Sequence, residues 1–121
     1  MNKIVLRNGF VYKKEGIVKA DLLISEGKLF LQFSKMDEEG ATVYDVDGKL
    51  IVPGFVDVHV HLREPGFSYK ETIKSGCSAA AHGGYTALCA MTNLNTPPSN
   101  IENLTLEMDK INEDACIAVY H

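Results

Sequence analysis

After Pro53-Gly54 the chain alternates short apolar runs with helical patterns, and that alternation leaves it few folds. Phe-Val-Asp-Val-His-Val-His-Leu, residues 55–62, reads as a strand, and Glu64-Pro65-Gly66-Phe67 reads as a loop. Ser68 and Glu71 have capping-box spacing, which predicts a helix from about Tyr69 to Ala81 ended by Gly83-Gly84. Tyr85 to Met91 is the next strand, apolar enough to be buried on both faces. Ser99 with Glu102 predicts a second capped helix, with Ile101, Leu104, Met108 and Ile111 as its apolar stripe. Ala115 to Tyr120 reads as a third strand. Strands separated by helices in this order predict an α/β fold with a parallel sheet.

Three parallel strands and two helices do not close a (β/α)₈ barrel, which takes roughly 250 residues. The chain has 121 residues. It is therefore expected to be a truncated piece of a longer protein, with a small open α/β domain standing alone as the alternative.

The first fifty residues have a different grammar. Ile4 to Leu6 and Phe10 to Tyr12 flank Asn8-Gly9, and Asp21 to Ser25 and Lys28 to Phe33 flank Glu26-Gly27. Both dipeptides tolerate positive φ, so each predicts a hairpin. Met36 to Gly40 is polar and reads as a loop, and Thr42 to Val46 and Leu50 to Val52 flank Asp47-Gly48. The reading is a small β unit over residues 1–52, followed by the barrel-like portion over 53–121.

The formal net charge is -4 and no Lys/Arg cluster stands out, which argues against a nucleic-acid surface. No stretch approaches membrane-spanning length. Cys77, Cys89 and Cys116 lack Cys-x-x-Cys spacing and read as reduced thiols of a cytoplasmic protein, not as zinc ligands.

The chemistry concentrates at the end of the first of these strands. Alternate residues of a strand share a face. Asp57, His59 and His61 are thus expected on one side, and Val56, Val58, Val60 and Leu62 on the other. Histidine pairs on strands are often structural. Here the pair lies at the C-terminal end of its strand, where barrel active sites are built. Asp57 is placed to orient a ligand histidine, and Arg63 follows at once as a fixed cation. His59 and His61 are the candidate metal ligands. A catalytic zinc takes three or more protein ligands, so others must come from elsewhere. Asn93, just past the second strand, joins Arg63 as a candidate for binding a carboxylate, although Asn93 also suits a plain turn. His82 reads as a surface residue at a helix end, His121 as a poor ligand candidate, and Glu64 as structural rather than a catalytic acid. Glu71, Lys70 and Lys74 read as a solvated helix face.

Asp-Gly-Lys-Leu-Ile-Val-Pro-Gly-Phe-Val-Asp-Val-His-Val-His, residues 47–61, resembles the entry into the barrel of the amidohydrolase superfamily. The continuation His61-Leu62-Arg63-Glu64-Pro65-Gly66, then Tyr69-Lys70-Glu71-Thr72-Ile73 and Gly83-Gly84-Tyr85-Thr86, resembles the bacterial class I dihydroorotases. The resemblance implies a metal-dependent (β/α)₈ barrel preceded by a β-sandwich segment that a C-terminal portion would complete. It implies zinc, one or two ions per site, held in part by His59 and His61. It implies that His61, Arg63 and Asn93 bind the substrate, with Arg63 and Asn93 on its carboxylate. The reaction would interconvert N-carbamoyl-L-aspartate and L-dihydroorotate in pyrimidine synthesis. The proton-shuttling aspartate and the bridging carboxylate of the family would lie beyond His121, so no catalytic residue is assigned within this chain. The implied partner is a small-molecule substrate; a homodimer or association with aspartate carbamoyltransferase is left open. Where the family commonly reads Met-Pro-Asn-Thr, this chain has Met91-Thr92-Asn93-Leu94. That change puts the aim of Asn93 in question, and Asn95 is a poorer substitute. Hydantoinase-like and allantoinase-like enzymes, or a non-catalytic relative acting as a scaffold subunit, are the competing readings.

Overall fold

A computed structural model describes residues 3–32 and 38–121. The chain forms two compact units, Met1–Pro53 and Gly54–His121.

The first unit is a five-stranded sheet built from β1 (Lys3–Lys13), β2 (Gly16–Ser25), β3 (Lys28–Gln32), β4 (Ala41–Asp45) and β5 (Leu50–Ile51). The order is β3-β2-β1-β4, and β5 also pairs with β1. Val5, Val11, Ala20 and Leu22 are its buried apolar side chains. The Glu26-Gly27 hairpin is present, with both residues at positive φ (51° and 70°) and Ser25 paired with Lys28. The expected extension of that second strand to Phe33, and Met36 and Asp37 of the expected loop, lie outside the described residues.

Asn8-Gly9 is not a hairpin. β1 runs straight through it, and the register against β2 shifts between Leu6 and Gly9, so the pair forms a β-bulge. The positive φ of Asn8, 63°, serves the bulge instead of a turn. Contacts from other strands hold it there: Asn8 N donates to Asp21 Oδ1 at 2.9 Å, and Asn8 Nδ2 donates to Asp45 Oδ2 at 3.1 Å. Gly9 lies against Ile51, whose side chain a Cβ would strike. The first hairpin turn is at Lys14-Glu15, where Lys13 pairs with Gly16. Asp47-Gly48 does not fold its flanking strands onto each other either. β4 and β5 both run parallel to β1, one beside Lys3–Arg7 and the other beside Phe10–Val11, and the turn carries the chain past the bulge.

The second unit is the expected parallel sheet, β6 (Phe55–Val60), β7 (Tyr85–Ala90) and β8 (Ala118–Tyr120), in that order. α1 (Ile73–His82) and α2 (Ile101–Asp114) form the crossovers. Leu62, Ile73, Cys77, Leu88, Ala90, Ile111 and Val119 make one core, with Val60, Tyr85 and Met108 packed against it. β7 buries Leu88 and Ala90 on one face, while Tyr85, Ala87 and Cys89 on the other are half-buried, so the expected burial on both faces holds only in part among the described residues. On β6, Val56 and Val58 are exposed while Leu62, just beyond it, is buried.

Both helices start later than their sequence signals suggest. α1 begins at Ile73 with Thr72 as N-cap, in a capping box with Ser75. The Ser68 hydroxyl instead donates to Glu64 Oε1 at 3.0 Å, and Tyr69 and Lys70 lie in a turn closed by Lys70 N donating to Phe67 O. Glu71 accepts from Thr72 N and from the Ser75 hydroxyl. α2 is capped by Asn100, whose side chain accepts from Asn103 N at 2.9 Å, not by Ser99. Asn is at least as good a cap as Ser, and Asn103 Nδ2 ties this turn to Pro97 O. The face α2 buries is also rotated: Glu107 and Ile111 are its buried residues, whereas Ile101 is 85% exposed. The third strand covers only the last three residues of the expected span 115–120.

Candidate metal and carboxylate site

His59 lies on β6 and His61 just past its end. Their ring centroids are 5.4 Å apart and the planes meet at 76°, so the two imidazoles stand side by side. The two histidines are two residues apart, the spacing at which strand alternation puts side chains on one side. Between Asp57 and Val60 the register against β7 shifts, leaving an extra residue on β6. The Asp57 carboxylate accepts the His59 N–H at 2.9 Å. Asp57 was expected to orient a histidine ring; the structure uses it on the main chain, because the bulge takes that N–H out of the ladder.

His61 does have a ring partner, and it comes from the next strand end. His61 Nδ1 lies 2.7 Å from Asn93 Oδ1. Asn93 follows β7, its side chain exposed, with the buried Leu94 anchoring the segment beside it. Arg63 sits in the left-handed region, φ 65°, and its carbonyl accepts Phe67 N at 2.9 Å, so the chain turns sharply after the strand. Among the described residues the Arg63 guanidinium has no ion pair or hydrogen bond. Gly66, at φ 99°, lies against the Asn95 carbonyl, and a Cβ there would overlap it. The loop bearing Arg63 and the loop bearing Asn93 therefore touch main chain to main chain.

Two imidazoles standing side by side suit zinc. They are not a complete donor set: among the described residues no group of three or more His, Cys, Asp or Glu side chains comes together. The fit is therefore to a pair of ligands in a larger set. A planar guanidinium and an amide N–H₂ at adjacent strand ends suit a carboxylate.

The other histidines are elsewhere. His82 is exposed at the end of α1, with Nδ1 2.8 Å from Ser78 O. His121 Nε2 lies 2.5 Å from Glu107 Oε1, and both side chains are buried. Burial pushes the Glu107 carboxyl above its ordinary value, while the hydrogen bond and charge of His121 pull the other way. Glu107 was missed by the sequence reading. The signal was its position three residues after Leu104 and four before Ile111, inside the buried stripe. Glu64, expected to be structural, accepts Ile73 N at 2.9 Å and Ser68 Oγ, fixing a carboxylate at the N-terminus of α1.

The family described as Dihydro-orotase-like matches residues 48–121. The chain is 45% identical over 114 residues to a dihydroorotase of Lactobacillus leichmannii, covering 94% of this chain and 27% of that protein. It is 47% identical over 119 residues to a dihydroorotase of Enterococcus faecalis, covering 97% of this chain and 28% of the relative. It thus spans little more than a quarter of the length of these relatives. Among solved structures, the L-hydantoinase (dihydropyrimidinase) of Arthrobacter aurescens superposes with a TM-score of 0.89 at 23% identity, over 98% of this chain and 27% of that one. A dihydropyrimidinase of Brevibacillus agri superposes with a TM-score of 0.82 at 28% identity, over 98% and 26%.

Proposed function

Because the chain belongs to the dihydro-orotase-like family, we propose that the complete protein is a zinc-dependent dihydroorotase. It interconverts N-carbamoyl-L-aspartate and L-dihydroorotate by opening and closing a cyclic amide. The observation that carries this reading is the cluster at two adjacent strand ends: His59 beside His61, Asn93 bonded to His61, and Arg63 unpaired among the described residues.

His59 and His61 would hold the metal together with ligands from elsewhere in the protein. Zinc held there would acidify a bound water so that hydroxide exists near neutral pH, and would polarise the carbonyl of the amide. The residues of this chain bind and orient. The Arg63 guanidinium forms two parallel hydrogen bonds to the substrate carboxylate, and the Asn93 amide adds a third donor. Holding the substrate by its carboxylate fixes the scissile amide relative to the two histidines, which converts binding into orientation. Three free cysteines suit a reducing, cytoplasmic setting.

The hydantoinase reading draws on the closeness of the solved neighbours, but those matches are at 23–30% identity against 43–47% for the dihydroorotases. Hydantoin and allantoin lack the carboxylate that Arg63 would bind. Assay of the complete zinc-loaded protein on dihydroorotate, hydantoin and allantoin separates the two. Turnover confined to dihydroorotate is expected; preference for either other ring would reject the proposal.

A further inference from the structure

We propose that Asn93 is a positioning residue for His61 as well as a substrate contact, its one amide joining a metal ligand to the substrate carboxylate. This rests on the reading of the site given above.

The amide has two ends with opposite hydrogen-bonding character. Oδ1 only accepts, so at 2.7 Å from His61 Nδ1 it requires the proton on Nδ1. In a neutral imidazole the lone pair then resides on Nε2, the nitrogen left to meet a metal. His61 is thus held in a single tautomer before any metal arrives. The His59 ring has no such partner among the described residues, so the two histidines are not equivalent. The other end of the amide, Nδ2, has no hydrogen-bond partner among the described residues and is left to donate. The segment cannot swing freely, because Leu94 is buried, Leu94 N donates to Thr92 O at 2.9 Å, and Gly66 lies against Asn95. A carboxylate drawing on Nδ2 polarises the amide and strengthens the acceptor at Oδ1, so substrate and metal reinforce one another. By linkage that reinforcement is reciprocal.

The test measures zinc affinity by chelator competition, and the tautomer of His61 by ¹⁵N NMR of histidine-labelled, metal-free complete protein. In the wild type His61 should be the Nδ1–H form. Asn93→Ala should release that form and weaken zinc about 10–100-fold, the range typical for losing the outer partner of a ligand histidine. Asn93→Asp keeps an acceptor, so it should keep the Nδ1–H form and bind zinc more tightly than Asn93→Ala, while dihydroorotate binding falls. An Nε2–H wild-type His61, or an Asn93→Ala zinc affinity within about two-fold of wild type, would overturn the bridge. So would an Asn93→Asp protein as weak for zinc as Asn93→Ala. If His59→Ala and His61→Ala still abolish zinc binding, that failure leaves the metal site standing. Zinc affinity untouched by either histidine substitution would reject the site and the bridge together.

Discussion

Gly66 and Asn95 meet main chain to main chain, and this contact locks the loop after β6 against the loop after β7. Arg63 is three residues before the glycine and Asn93 two before the asparagine, so the contact ties together the loops that carry the two groups proposed to bind the carboxylate. Gly66→Ala faces both a φ of 99° and an overlap with the Asn95 carbonyl. The strained backbone alone costs about 1–3 kcal/mol. The expected outcome is a lowered urea midpoint, a raised KM for dihydroorotate, and zinc content near wild type, measured by denaturation, steady-state kinetics and metal analysis. An unchanged KM would show that the contact does not hold these groups in place for the substrate.

Arg63 has no partner among the described residues, so its removal disturbs little else. A hydrogen bond to a charged group contributes about 1.5–3 kcal/mol. At about 1.4 kcal/mol per factor of ten, Arg63→Ala should raise KM for dihydroorotate roughly 10–100-fold. Zinc content should not change. Loss of zinc in this variant would mean that Arg63 supports the histidines instead of the substrate.

The Glu107–His121 pair should give stability a pH dependence of definite sign. Burial raises the Glu107 carboxyl above its ordinary value, so the folded state favours the protonated acid. A raised carboxyl contributes stability that is present below the unfolded value and declines as pH rises through the folded one. Glu107→Gln removes that decline. Urea unfolding across the carboxylate range should therefore show the variant gaining on wild type as pH rises. A difference between the two that is flat with pH would contradict this.

Ile73 is fully buried at the first position of α1, in the core shared with Cys77, Leu88, Ile111 and Val119. Ile73→Ala leaves a cavity there and should cost about 2–5 kcal/mol. Chemical denaturation of the complete protein measures it; a loss below about 1 kcal/mol would mean the site collapses to fill the gap.

Much of the second unit was legible in the residues because its signals are local. Apolar runs of strand length, separated by two helical periods after Pro53-Gly54, leave parallel pairing as the way to bury them. The Glu26-Gly27 hairpin was legible for the same reason, since its turn is set by the φ its own two residues accept. His59, His61 and Arg63 could be singled out because they are nearly contiguous in the chain.

The remainder was decided through space. Asn8-Gly9 can serve a hairpin or a bulge equally well; Asp21, Asp45 and Ile51, all from other strands, select the bulge. Ser68 has cap spacing, but Glu64 takes its hydroxyl and the cap passes to Thr72. Asp57 could face a ring or a main-chain N–H, and a bulge against β7 exposes the N–H. The bond from His61 to Asn93 crosses 32 positions of sequence. Periodicity and turn chemistry state which conformations a segment tolerates, whereas a side chain with several competent partners settles on the one that tertiary packing brings within reach.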